Sequence, residues 1–330
     1  MKERKCSDGS ENPIYHIPVL LNETINALNI KQDGIYLDAT AGGGGHSFAI
    51  ASRLTTGKLI SLDRDPDAVR EASQRLAGLP ATVVQANFIE MAGVLKEQST
   101  PSLDGILMDI GVSSHQLDTP ERGFSYHAGA PLDMRMSQKG ETAADLVNSL
   151  DEQQLVEIFF KYGEEKYSRS IARAIVRERT GQAIETTDRL AEIIKNSVPQ
   201  SYRRDGHPAR KVFQALRIAV NKELDYLSEA LDTAFAHLKI GGRLAVITFH
   251  SLEDRMVKQR FVGYCKGCVC PPDFPICVCN RTPAAKQVFR KPIGASETEL
   301  NENPRSRSAK LRCIEKLQEN HTDLLSSRHD

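Results

Sequence analysis

The chain has no tryptophan, no net charge and no long hydrophobic run. The first absence excludes nothing by itself. The third excludes a helical membrane span, which needs roughly 20 consecutive apolar residues, and the polar stretch Met1 to Asn12 lacks the apolar centre of a secretory signal. The zero charge is not evenly spread: from Arg210 onward twenty lysines and arginines face fourteen acids. That basic back half suits a polyanion, or is a chance asymmetry of a solvated face. Five of the seven cysteines crowd between Cys265 and Cys279, too local for a disulfide framework spanning the chain. The remaining composition, 40% hydrophobic and 26% charged over 330 residues, is that of one large or two ordinary globular domains, with the cytoplasm as the expected place.

What is present begins at Ile35-Tyr-Leu-Asp-Ala-Thr-Ala-Gly-Gly-Gly-Gly-His-Ser47, a short apolar run ending in an acid, then a glycine loop that opens a helical segment. Strand, tight loop and helix in that order bring backbone N–H groups and a helix N-terminus to one ligand, and glycine lets the ligand touch the main chain. Nineteen residues past Gly44 a second apolar run ends at Asp63, the spacing that presents a carboxylate to ribose hydroxyls. A dinucleotide fold shares Asp63 but does not call for Asp38, Thr40, Gly42 and Gly44. This acid-x-Thr-x-Gly-x-Gly pattern resembles the first motif of S-adenosylmethionine-dependent methyltransferases. Asp38 suits a ligand that carries a cation where a dinucleotide carries a pyrophosphate.

Gly34 to Ala39, Leu59 to Asp63, Ala81 to Gln85 and Gly105 to Asp109 read as strands with amphipathic stretches between them, half of a mainly parallel, doubly wound α/β sheet. From Leu117 to Arg210 the strand signal stops. Ala143 to Leu150, Glu152 to Phe160, Ser168 to Arg179 and Thr187 to Ser197 carry helical periodicity, with Thr142, Asp151 and Thr187 as capping candidates. Lys211 to Leu238 reads as one long helix, and Gly241 to Phe249 restores a turn and a buried strand. The expected organisation is a discontinuous Rossmann-like domain, 1–116 and 211–330, with an inserted all-helical domain, 117–210, over the ligand edge.

Asp109 closes the fourth strand and is followed by Gly111, Ser113 and Ser114 in a loop facing the cofactor crevice. For an exocyclic amine acceptor the site must localise a delocalised nitrogen lone pair and hold the methyl carbon in line, and Asp109 is the candidate acceptor of an N–H. Transfer to nitrogen needs no covalent adduct, which agrees with the lack of a cysteine beside Asp109. Amino-methyltransferases more usually carry Asp/Asn-Pro-Pro-Tyr here, whereas this chain has Asp109-Ile-Gly-Val-Ser-Ser114.

That departure, with His16-Ile-Pro-Val-Leu-Leu-Asn-Glu23, Glu121-Arg-Gly-Phe-Ser125, Pro131-Leu-Asp-Met-Arg-Met136 and Phe249-His-Ser-Leu-Glu-Asp-Arg255, resembles the bacterial small-subunit ribosomal RNA cytosine-N4 methyltransferases of the MraW type, from about Tyr15 to Lys316. The resemblance implies a class I S-adenosylmethionine-dependent methyltransferase acting on N4 of a cytidine in the decoding region of 16S rRNA. It also implies cofactor contacts at Gly44, Gly45, His46, Asp63, Phe88, Asp109 and Gln116. Phe88 also fits from position, since an aromatic after the third strand packs on adenine or joins the core.

His250 and Ser251 end a late strand, where a histidine is satisfied by local backbone or meets substrate. RNA contacts are expected from His207, Arg210, Arg255, Lys258, Arg260 and the Asn303 to Arg312 run with Arg305 and Arg307, because arginines interleaved with small hydroxyl residues suit phosphate and sugar. Two weaker readings stay open, a non-catalytic RNA-binding assembly factor and a nicotinamide-dependent oxidoreductase. The oligomeric state is open, a homodimer included. The cysteine cluster is read as zinc held by Cys265, Cys268, Cys277 and Cys279, as reduced thiols, or as a redox set.

Overall fold

The structure, a computed structural model, describes residues 18–126, 129–268 and 281–318, together with 270, 274, 276 and 279. Its sheet has seven strands: β1 Ile35–Asp38, β2 Lys58–Asp63, β3 Ala81–Gln85, β4 Leu103–Asp109, β5 Leu238–Thr248, β6 Ala285–Gln287 and β7 Lys310–Lys316. They lie in the order β3-β2-β1-β4-β5-β7-β6. The first five run parallel, and β7 is antiparallel to both its neighbours. Continuous apolar runs such as Leu59-Ile60 and Ile106-Leu107-Met108 are buried, as strands covered on both faces must be. This is the expected Rossmann-like α/β sheet.

The helices up to the fourth strand's end are α1 Leu21–Leu28, α2 Gly45–Ala51, α3 Pro66–Arg75, α4 Met91–Glu97 and α5 Ser114–Asp118. A helical stretch follows, α6 Ala143–Ser149, α7 Glu152–Gly163, α8 Ser168–Arg179, α9 Thr187–Asn196 and α10 Ala209–Asn221. Then come α11 Glu223–His237, α12 Ser251–Cys265 and α13 Glu297–Glu302. One face of the sheet is packed by α4, α11 and α12, through Val94, Leu231, Phe235 and Phe261. The other takes α1 and α2, through Leu28 and Ile50. The helical stretch has its own core, in which Leu155, Phe159, Ile171, Ile175 and Leu190 pack with Val212 and Phe213, so that core runs past position 210 into α10.

Thr142 and Asp151 cap α6 and α7, each in a reciprocal capping box with the residue three places on. Thr187 lies inside α9 instead, and its hydroxyl accepts the N–H of Ala130 at 3.2 Å. The single helix expected from Lys211 to Leu238 is two helices, broken at Lys222, which takes a left-handed φ of 51°. Its neighbour Asn221 fixes the break, since the side chain accepts from Met136 N–H at 2.9 Å and donates to the Met134 carbonyl at 2.8 Å. The second correction concerns β6 and β7, which sequence patterning did not mark as strands: Lys310 to Arg312, expected as part of an RNA-binding run, enters the interior of the sheet.

Candidate active site

Because β2, β1 and β4 are neighbours, their carboxyl ends bring Asp63, Asp38 and Asp109 to one edge of the sheet. A cleft of about 320 Å³ opens there. It is lined by the main chain of Gly42, Gly43 and Gly45, by His46, Asp63, Phe88, Asp109 and Gln116, and across the opening by Arg217 and Phe249.

The glycine loop is bolted from beneath. Asp38 is fully buried and accepts the Thr40 N–H at 3.2 Å and the Ser47 hydroxyl at 2.6 Å. Burial is the main cause that raises its pKa to about 6. Asp38 therefore shapes the loop without lining the cleft, and the same holds for Gly44, whose φ is +77°. A Cβ at Gly44 would stand 3.1 Å from the Ala72 Cα, backbone that cannot turn aside, so glycine lets the loop seat against α3. Asp63 accepts the Gly42 N–H at 2.8 Å and the Asp65 N–H at 2.9 Å while still facing the cleft, and burial raises its pKa. Gln116 closes a capping box with Ser113 on α5 and donates to Asp65 at 2.7 Å. Arg122, from the Glu121–Ser125 motif, reaches the same Asp65 at 2.8 Å. Phe88 packs in the sheet core and also lines the cleft.

Asp109 holds its own backbone N–H on the Thr40 hydroxyl at 2.6 Å. Its Oδ1 is buried with no hydrogen-bond partner among the described residues, and Oδ2 lies 3.6 Å from His46 Nδ1. Burial first, then the charges of Asp38 and Glu253, hold its pKa well above the usual carboxylate range. Glu253 is the residue that caps α12 from within. Its Oε2 accepts the N–H groups of Phe249 and His250, and His250 Nδ1 accepts the Glu253 N–H at 3.4 Å. His250 is thereby a helix cap beside the cleft, outside its lining.

Sequence reasoning missed a second layer. Arg217 from α10 makes two hydrogen bonds to Glu223 of α11, at 2.9 and 3.0 Å, and approaches Glu253 of α12 at 4.0 Å. Arg64 donates to the Asn221 carbonyl at 3.2 Å and meets the sulfur of Met136. These residues tie the helical stretch to the cofactor edge, yet each is an ordinary surface-type residue in the sequence, brought in by chain packing alone.

The expected RNA contacts divide. Arg210 and Arg307 are exposed, and His207 is exposed with its ring stacked on Tyr126 at 4.4 Å. Ser251 donates to Glu164 at 3.2 Å. Arg305 lines the cleft mouth and is paired with Asp118 at 2.9 Å. Arg255, Arg260 and Arg312 are paired with Glu164, Asp232 and Asp254. Of the expected metal ligands, Cys277 lies outside the described residues, and Cys265 packs half-buried on the sheet core with its thiol pKa pushed up to about 11 by burial. Cys268 and Cys279 come together with Cys270 instead.

The cleft is suited to a nucleoside joined to a small charged group. Main chain lies open at the glycine loop, a carboxylate stands at the second strand, and an aromatic stands beyond it. Among the described residues no helix is long and apolar enough to cross a membrane.

The chain is similar in sequence to several named proteins. The Ribosomal RNA small subunit methyltransferase H of Symbiobacterium thermophilum is 54% identical over 309 residues, covering 92% of this chain and 97% of that protein. The proteins of the same name from Clostridium botulinum (strain Loch Maree) and Brevibacillus brevis are each 51% identical, covering 92% of this chain and 99% and 98% of theirs. A solved rRNA methylase from Streptococcus thermophilus is far more distant, at 12% identity and a TM-score of 0.39 over 91% of this chain and 93% of that one. The MraW methylase family model matches residues 13–317. With nearly the whole chain matched and the glycine loop, Asp63 and Asp109 gathered at one cleft, the protein belongs to the MraW methylase family, whose cofactor is S-adenosylmethionine.

Proposed function

We propose that this chain methylates N4 of a cytidine in the decoding region of 16S rRNA, within the small ribosomal subunit. The observation that carries the reading is Asp109 Oδ1, a buried acceptor in the cleft wall without a hydrogen-bond partner among the described residues. The names of the relatives support ribosomal RNA as the substrate class.

The main chain of Gly42, Gly43 and Gly45, with Asp63, Phe88 and Gln116, would hold the cofactor, Asp63 toward ribose hydroxyls and Phe88 toward the adenine. When bound, S-adenosylmethionine supplies an electrophilic methyl group on a sulfonium. Asp109 accepts an N4–H of the cytosine, which localises the nitrogen lone pair for attack. Its raised pKa matches it to taking that proton as the N–H acidifies, and burial, with the charges of Asp38 and Glu253, keeps the pKa raised. The target base must be unstacked or single-stranded to reach this depth. The helical unit, whose core continues into α10, serves as the platform for RNA, with exposed Arg210 from it and Arg307 from the segment before β7 on phosphate.

The test is incubation with methyl-labelled S-adenosylmethionine and small subunits lacking native modification, followed by nucleoside analysis. Label in N4-methylcytidine is the expected result. Label in another nucleoside overturns the acceptor, and no label despite tight cofactor binding favours an assembly factor that keeps the fold as a scaffold.

A further inference from the structure

We propose that Cys268, Cys270 and Cys279 form a zinc site in the segment between α12 and β6, apart from the catalytic cleft. Their sulfur atoms all lie within 4.8 Å of one another. Cys268 and Cys279 are 3.7 Å apart sulfur to sulfur. Two thiolates each about 2.3 Å from a tetrahedral ion are separated by about 3.8 Å, whereas a disulfide would bring them to about 2.05 Å. The spacing is that of an edge of a metal–sulfur tetrahedron. The Cys270 N–H points at the Cys268 sulfur at 3.4 Å, the kind of backbone contact that stabilises a ligating thiolate.

The surroundings give the segment reason to need an ion. Its two ends are held side by side: the Ala284 N–H donates to the Tyr264 carbonyl at 2.9 Å, and a Cβ on Gly267 would stand 3.1 Å from Pro283. Beyond that base, the described residues Phe274 and Ile276 are 52% and 74% exposed, so neither of these large apolar side chains anchors the loop. Where the described apolar side chains supply no anchor, a metal ion can hold such a segment instead. Soft thiolates select zinc over hard cations. Binding converts three thiols to thiolates and releases three protons, with the fourth position left to water or another donor. None of the three cysteines lines the cleft, so the proposal does not depend on the methylation reading.

Cobalt(II) serves as the probe, titrated into the full chain after chelation and reduction. The expected result is a sulfur-to-cobalt charge-transfer band with the visible bands of a tetrahedral ion, saturating at one ion per chain and abolished by zinc. Cys268→Ser, Cys270→Ser and Cys279→Ser each weaken zinc by more than the roughly 10–100-fold that loss of an outer-shell partner costs, while Cys313→Ser, in buried β7, leaves it unchanged. No charge-transfer band in the wild-type chain overturns the site, whether or not the variants fold. So does a full band in the triple serine variant, or a Cys268–Cys279 disulfide in protein kept under reductant.

Discussion

His46 Nδ1 and Asp109 Oδ2 face one another across 3.6 Å, while the other ring nitrogen of His46 meets the Val19 carbonyl at 3.0 Å. A carbonyl takes only a donor, so Nε2 carries a hydrogen. The facing pair is then attractive only when a proton sits on His46 Nδ1 or on Asp109. The imidazole and the carboxyl thus share the question of where one proton resides, beside the atom assigned to accept the substrate's N–H.

Replacing that carboxyl separates chemistry from folding. Asp109→Asn lowers methyl transfer by about 10²–10⁴-fold, the usual contribution of a positioned base. Thermal stability holds or rises, because a buried carboxylate is removed. The pKa is raised and the base form is the active one, so kcat/KM is present above the folded pKa and falls as the pH drops through it. The acid limb is centred well above the ordinary value of 3.8 and is missing in the variant. Retained turnover, or an acid limb centred near 3.8, removes Asp109 from the mechanism.

Two glycines of one loop differ in what a methyl group would meet. Gly42→Ala adds only the left-handed backbone cost, about 1 kcal/mol, since among the described residues nothing lies within 4 Å of the new carbon. Gly44→Ala adds that cost and a 3.1 Å approach to the α3 backbone, and so must displace the loop. Calorimetric titration with S-adenosylhomocysteine reads the difference, with affinity dropping far more for Gly44→Ala. Equal losses would show that the seating of the loop on α3 is immaterial.

Asp38 makes stability depend on pH. Its folded pKa of about 6 exceeds the ordinary 3.8, so its contribution is fully present below 3.8 and is lost as the pH rises through 6. The change is on the order of 3 kcal/mol. Asp63 and Asp109 shift in the same direction. The measurement is therefore the difference between wild type and Asp38→Asn in urea unfolding from pH 4 to 8. A difference that does not vary with pH would mean that Asp38 is ionised throughout.

Arg210 and Arg307 are exposed, which makes them the cleanest probes of RNA affinity. Alanine at either position weakens rRNA binding for all sequences alike and lowers the slope of log affinity against log salt by about 1. Cofactor affinity is unchanged. An unaltered salt slope would place the phosphate contacts elsewhere.

Much of the cleft is legible in the sequence because parallel strands in such a sheet end at the ligand. Apolar runs ending in Asp38, Asp63 and Asp109 point to one edge from their pattern alone. What was not legible lacked a local signature. Lys222 turns left-handed with no glycine or proline to announce it, held there by what Asn221 bonds eighty-odd residues back. Lys310 to Lys316 alternates charged and apolar residues after an arginine-rich run, and reads as surface until Arg312 is seen paired with Asp254. The Arg217, Glu223 and Glu253 cluster comes from three helices, and no spacing rule joins them.

The place of β7 also bears on how the protein is made. It lies between β5 and β6 but is synthesised after both. While residues 310–316 are still in the ribosomal tunnel, the nascent β5 shows an open edge of unpaired amides and carbonyls, and β6 has no partner at all. Arg305 and Ser308 at the cleft mouth arrive with that strand. Until then the emerging sheet ends at the open edge of β5, exposed to mispairing and to chaperone capture, and the cleft gains its full rim only when the late strand adds to β5 and brings β6 with it.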